Sequence, residues 1–368
     1  MPHLLLEGKA DRYQQFLTSA AQSNLVDVSD DFHFRIQTIE SPTLLLRHVR
    51  TFGQATNHGE LPDAFFALML SFHPGGFSST GPLSDSGPHP PGPTLHWHLA
   101  NGSCTNHHRN SKVTYVRLES AALLRALSAQ AIPVSQLACL QGVAAPAALV
   151  QLIKSLGQQL ASTEIQQHRP ITESFYNQLA QELRHLLGPT RPSDAIAAGH
   201  ASMAIEWMMT RLNAPTNLPQ LAQEVGLTPR RVQACFKSQL ALSPMRWLKL
   251  ARLSALRQLL WDRDLQDQSI QQLLGRSGLG DTNLNHLHYK EVYGASFRAE
   301  RRHAQTTQRQ SPSVTQETVH RQFNNMAEAI RYLETLDAMD SHKNGAGVAI
   351  TITSSVKQTN DLAQQNDT

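Results

Sequence analysis

The chain has 368 residues, with 32 Lys or Arg against 29 Asp or Glu, a hydrophobic share of 40% and 3 cysteines. That length and apolar fraction suit two packed domains and a tail, and the longest apolar run, residues 64–70, is far too short to span a bilayer. The start Met1-Pro-His-Leu-Leu-Leu-Glu7 meets an acid where a secretory segment would continue, and Cys104, Cys139 and Cys235 follow no disulfide or zinc spacing. Reduced thiols in a cytoplasmic, nucleoid-associated protein are therefore expected.

Residues 32–118 read as short strands and turns. The runs 43–51, 65–72, 94–99 and 112–118 are apolar or alternating, and Pro74-Gly-Gly and Gly87-Pro-His-Pro-Pro-Gly-Pro93 punctuate them. Residues 1–143 are thus expected to form a small β-rich barrel or sandwich. Within it, His96 and His98 sit two apart and share one strand face, with His107 and His108 near in sequence. A metal site, and with it a metal-dependent barrel enzyme, is one reading; hydrogen-bonded or exposed histidines are the simpler one. With no acidic partner at a telling spacing, no nucleophile–base arrangement and no glycine-rich phosphate loop, no catalytic residue, metal or cofactor is assigned.

From residue 144 the period becomes helical. Leu149, Leu152, Ile153 and Leu156, then Leu179, Leu183, Leu186 and Leu187, form apolar stripes. A lone surface helix would leave such stripes partly exposed, so 144–187 is read as a dimerisation segment. Gly188-Pro-Thr-Arg-Pro-Ser193 marks a linker over 188–197.

The region 198–304 carries two helix-turn-helix patterns. In the first, an apolar-periodic helix from Leu218 ends at Gly226, which supplies the positive φ of a tight turn. A second helix follows with Thr228 as N-cap and Pro229 at N1. Next, Ser243 caps a long helix begun by Pro244, with Trp247, Leu248, Ala251, Ala255, Leu256, Leu259 and Leu260 on its apolar stripe. At ~1.5 Å per residue it spans on the order of 28 Å, near the ~34 Å between successive major-groove faces. The second pattern has Ile270, Leu273 and Leu274, a turn at Gly278-Leu279-Gly280, and Asp281 as expected N-cap. The two patterns share an aromatic–lysine pair, Phe236-Lys237 and Tyr289-Lys290, and a serine six residues beyond the lysine, Ser243 and Ser296.

This layout resembles the DNA-binding domain of the AraC/XylS family of bacterial transcription regulators. The resemblance rests on Leu221-Ala-x-x-x-Gly226-Leu-Thr-Pro-Arg230-x-Val-x-x-x-Phe236-Lys, Leu242-Ser-Pro244 and the long helix after them. It implies base reading from Arg230, Gln233 and Ala234 of the first recognition helix and from Thr282, Asn283, His286 and Leu287 of the second. Thr228, Arg231, Lys237 and Lys290 complete the expected DNA contacts. Arginine pairs bidentately with guanine and glutamine with adenine, whereas alanine offers only a methyl contact. The second copy departs from the pattern: Asn285 stands where an aromatic is usual, and Leu287 where an arginine is common. That helix is expected either to rotate and bury Leu284 and Leu287, or to touch mainly phosphate.

Charge agrees with this reading. Residues 201–302 hold 14 Lys or Arg against 8 Asp or Glu, a net of +6, whereas the remainder holds 18 against 21, a net of −3. The family order implies an α+β chain: a ligand-sensing, dimerising N-terminal domain ahead of an all-α double helix-turn-helix domain. Its partners would be double-stranded DNA, a small-molecule effector, RNA polymerase as an activator, and a second copy, with no membrane. A DNA-binding protein whose N-terminal domain only oligomerises is the alternative. Beyond Arg302 the sequence turns Gln-, Thr- and Ser-rich; 305–368 is expected to be mostly disordered, with a short helix near 326–336.

Overall fold

Alternation in the N-terminal half produces two antiparallel sheets. In the computed structural model, which describes residues 4–20, 23–72, 76–78 and 92–309, the larger sheet has seven strands. Their order is β1 (Leu4–Gly8), β3 (His33–Glu40), β4 (Leu44–Phe52), β10 (Lys112–Glu119), β6 (Phe65–Phe72), β8 (Thr94–His98), β11 (Val143–Ala144). The smaller sheet has four, in the order β2 (Ser23–Val28), β5 (Gln54–Glu60), β9 (Ser103–Arg109), β7 (Gly76–Ser78). The four predicted strands correspond to β4, β6, β8 and β10, whereas the turn clusters at 74–75 and 87–91 lie outside the described residues.

The larger sheet is covered on both faces. Leu44, Leu46, Leu68, Leu70, Trp97 and Val116 enter the main core with helices α2 (Ser120–Ala129), α3 (Ala147–Ser162) and α4 (His168–Leu187). Arg47, Val49, Met69, His98, Val113 and Tyr115 face the other way, across a cavity whose far wall is β5 and β9. This double cover is why Phe65-Phe-Ala-Leu-Met-Leu reads as an unbroken apolar run. Helix α1 (Ala10–Ala20) packs Tyr13 and Leu17 on Phe32, Phe34 and Ile36.

The apolar stripes of 144–187 find their partners inside the chain. Leu149, Ile153, Leu156, Leu179 and Leu183 are all at most 2% exposed, and Leu152, Leu186 and Leu187 lie half-buried against the same core. The face on which the dimer expectation stood is therefore already covered by the protomer itself. Helix α5 (Pro192–Met209) begins within the stretch expected as linker, because Pro192 takes the helix's first turn, where its missing N–H costs nothing.

Six α-helices follow among the described residues: α6 (Leu218–Glu224), α7 (Pro229–Leu240), α8 (Pro244–Trp261), α9 (Ile270–Ser277), α10 (Asn283–Tyr293) and α11 (Phe297–Arg309). As expected, Ser243 caps α8, its hydroxyl accepting from the Arg246 amide at 3.2 Å. Burial around α8 reaches well beyond one stripe, including Trp247, Leu250, Leu253, Leu256, Arg257 and Trp261, because it packs on α2 as well as on α9 and α11. The tail beyond Arg309, including the expected helix near 326–336, lies outside the described residues.

Where α8 meets the larger sheet, the contact is ionic and mostly buried. Arg257, with a side chain 5% exposed, donates to Glu300 at 2.8 Å, to Glu40 at 2.7 Å and to the Pro42 carbonyl at 2.9 Å. Trp261 Nε1 also donates to Glu300, at 2.7 Å. Burial alone would raise the Glu40 carboxyl, but the His303 hydrogen bond and the charges of Arg257 and Arg117 outweigh it and hold that group well below the usual range. Glu119, at the end of β10, accepts from Ser254 and from Tyr293 at 3.0 Å; for it burial wins and its pKa is raised.

Candidate nucleic-acid interface

The first helix-turn-helix is assembled by local signals. The Asn217 side chain accepts from Gln220 N at 2.9 Å to start α6, and Gly226 turns the chain at φ +67°. The Thr228 hydroxyl then accepts from Arg231 N at 3.2 Å to start α7. Helix α7 buries Val232, Cys235, Phe236, Gln239 and Leu240. That helical spacing leaves Arg230, Arg231, Gln233, Ala234 and Lys237 together on the exposed side.

The second unit is built alike, with a different cap. Ser269 and Gln272 form a capping box at α9, and Gly278 turns the chain at φ +76°. A β-carbon there would sit 1.9 Å from the Leu212 carbonyl oxygen, so this turn needs glycine for space as well as for backbone angle. The N-cap of α10 is Thr282, not Asp281: its hydroxyl accepts from Asn285 N at 3.3 Å. Asp281 is instead bonded to His286 Nε2 at 2.7 Å.

Helix α10 buries His288, Tyr289 and Val292 and exposes Thr282, Asn283, His286, Leu287 and Lys290. It does not rotate to hide its leucines. Leu284 is 67% exposed and Leu287 56%. Tyr289 already occupies the inward position, its ring 4.6 Å from that of Tyr293 and 4.7 Å from that of Phe297. Asn285, standing where an aromatic is usual, donates to the Gly280 carbonyl at 2.8 Å and ties down the turn. Leu284 thus joins the outward face, against the rotation that was one of the two expectations for this helix.

The histidines of the β-rich domain divide. His98 and His108 line the inter-sheet cavity, and His96 is buried with its Nε2 3.1 Å from Thr94 Oγ1. His107 Nδ1 lies instead 3.1 Å from the Thr56 hydroxyl. Burial lowers the pKa of His96, His98 and His108 to about 4, so all three are neutral at pH 7. Among the described residues, no group of three or more His, Cys, Asp or Glu is placed to hold a metal ion. The cavity has a volume of about 90 Å³; of its lining only His98 and His108 were singled out from sequence, because the rest comes largely from α1 and strands far apart in the chain.

Residues 221–303 match a family described as a helix-turn-helix domain. The chain is 25% identical over 154 residues to the "Probable thc operon regulatory protein" of Rhodococcus erythropolis, covering 40% of this chain and 46% of that one. It thus spans about half the length of the curated relative it matches. Among solved structures it is similar to a transcriptional regulator with an AraC-type DNA-binding domain from Chromobacterium violaceum (25% identity, 30% of this chain and 96% of that one, TM-score 0.27). It is also similar to ToxT from Vibrio cholerae (10% identity, 69% and 96%, TM-score 0.34). Residues 221–303 are thus a helix-turn-helix domain, preceded by antiparallel sheets and helices in an α+β chain.

Proposed function

We propose that the chain is a sequence-specific transcription activator that binds double-stranded DNA through α7 and α10, engages RNA polymerase, and takes a small-molecule signal into the cavity between its sheets. The observation that supports this best is that both second helices keep their reading positions on exposed faces while their opposite faces are packed. Arg230 and Gln233 read base edges and Ala234 adds a methyl contact. Arg231, Lys237 and Lys290 neutralise phosphates, which position the protein without carrying sequence information. Thr228 and Thr282 spend their hydroxyls on helix caps. On α10, His286 is held by Asp281, which leaves the Asn283 amide and the apolar surfaces of Leu284 and Leu287, suited to thymine methyl groups. Sharp base preference is therefore expected under α7 and weaker, methyl-dependent preference under α10. A dimer is not required by this reading.

The test is footprinting of the full-length protein on its mapped sites, followed by base substitution across one half-site, with each thymine also replaced by uracil. Removing a methyl under α10 should weaken binding in the wild type, and by less in a variant carrying both Leu284→Ser and Leu287→Ser. Equal or larger penalties for base changes under α10 than under α7 would overturn the division of labour. Failure to protect any site in preference to random DNA would overturn the regulator reading itself.

A further inference from the structure

The inter-sheet cavity is built with more polar chemistry than a structural core needs. Its walls include the apolar side chains of Phe16, Leu17, Val49, Leu61, Met69 and Val113. Among them lies Arg47, only 7% exposed, its guanidinium carbon 4.8 Å from the Phe16 ring centroid and 6.0 Å from that of Tyr115. Burial lowers the Arg47 pKa to about 10, so it stays charged at neutral pH. These ring contacts restrain the guanidinium beside the cavity, and arginine's five donors suit a planar anion.

Across the cavity, Asn57 is 5% exposed. Its amide nitrogen donates to Ser23 Oγ at 3.2 Å, and that hydroxyl gives its own proton to the His58 carbonyl at 2.8 Å. Ser23 can therefore only accept from Asn57, which fixes the amide's orientation and leaves the Asn57 carbonyl oxygen buried with no hydrogen-bond partner among the described residues. His98 Nε2, on a residue 8% exposed, is in the same state. Buried polar atoms left this way are rare in folded proteins and point to a missing partner. Glu60, exposed and on the same strand as Asn57, is a second acceptor on the lining.

We infer that this cavity binds a small carboxylic acid that also carries a hydroxyl or amino donor on an apolar frame, with the carboxylate on Arg47 and the donor on the Asn57 carbonyl oxygen. The inference rests on the reading that a small molecule enters this domain. A carboxylate suits the site better than a phosphate dianion, because Arg47 is the only guanidinium or ammonium among the described lining residues and the histidines there are neutral. A neutral polyol would use Asn57 and His98 and make nothing of the charge on Arg47.

Calorimetric titration of the full-length protein with matched probes tests the assignment. Para-hydroxybenzoate and δ-hydroxyvalerate supply an aromatic and an aliphatic frame; their amides lack the charge, and benzoate and valerate lack the donor. At least one hydroxy acid should bind saturably, with its amide and its deoxy analogue each weaker on the order of tenfold or more. Arg47→Met should erase the preference for acid over amide, and Asn57→Leu the preference for hydroxyl over hydrogen. If either variant fails to fold by circular dichroism, the wild-type comparisons decide alone. An amide that binds as tightly as its acid, an acid preference that survives in folded Arg47→Met, or no saturable binding by any acid up to millimolar concentration would overturn it. Operator binding measured alongside separates the two readings. An acid that binds through Arg47 without altering DNA affinity retires the sensing reading and keeps the ligand assignment. A neutral compound that alone alters DNA affinity does the reverse.

Discussion

Replacing Arg257 with methionine should cost more stability than any single change on the reading faces. The guanidinium sits at 5% side-chain exposure against Glu300, also at 5%, and against Glu40 at 23%. Without it, Glu40 keeps Arg117 at 3.9 Å and His303 at 3.3 Å, whereas Glu300 keeps Trp261 Nε1 and no cation among the ion pairs of the described residues. The orphaned charge is therefore Glu300. Breaking one side of a buried pair typically destabilises by about 3–5 kcal/mol, because the remaining charge is left desolvated. Against a usual total of roughly 5–15 kcal/mol, that loss is large. Urea unfolding followed by tryptophan fluorescence measures it as a lower midpoint. Glu300→Gln in the same background should recover part of the loss, giving a coupling of about 0.5–3 kcal/mol in the double-mutant cycle. A loss under about 1 kcal/mol for Arg257→Met, or strictly additive single and double variants, would show that the pair is solvated and the reasoning wrong.

Acid should weaken the same junction. The folded-state pKa of Glu40 lies below its unfolded value, so its contribution is full above the unfolded carboxylate's value of 4.5 and is lost as pH falls below it; Glu40→Gln should flatten that loss in urea midpoints measured between neutral and acid pH. Gly278→Ala should destabilise more than Gly226→Ala in thermal melts. Both glycines have positive φ, worth about 1–2 kcal/mol against an L residue, but only at Gly278 does the new methyl meet a backbone carbonyl. Alanine at Arg230 or Gln233 should each cost on the order of 1–3 kcal/mol on the specific site and little on random DNA. Equal losses on both DNAs in gel-shift titrations would reduce those residues to phosphate contacts.

Much of the DNA-binding half is readable from sequence because its signals are local. Asn217, Thr228 and Ser243 cap helices whose first N–H groups lie within three residues of them, and Gly226 and Gly278 meet a backbone angle set by their own turns. Even there, adjacent capping residues leave an ambiguity: Asp281 and Thr282 can both cap, and the bond from Asp281 to His286 decides for Thr282. The direction Leu284 and Leu287 face is not local either, since it depends on Tyr289 filling the space beside Tyr293 and Phe297.

In the N-terminal half, β4, β6, β8 and β10 announce themselves because their side chains are apolar on at least one buried face. Strands β5, Gln-Ala-Thr-Asn-His-Gly-Glu, and β9, Ser-Cys-Thr-Asn-His-His-Arg, do not. Their inward positions carry Asn57, Gly59, Asn106 and His108, residues that a cavity tolerates and a packed core would reject. The stripes of α3 and α4 are equally clear in sequence, yet periodicity states only that a face must be buried, not by what. Here α2, the facing helix of the pair and the larger sheet cover it together, so a feature that implied a second copy is satisfied within one. The Arg257 junction and the placement of Arg47 opposite Asn57 join residues distant in the chain, and no local pattern encodes such pairs. Capping, turn geometry and period thus determined the helix-turn-helix units, while long-range packing alone decided which faces remain free to meet DNA or a ligand.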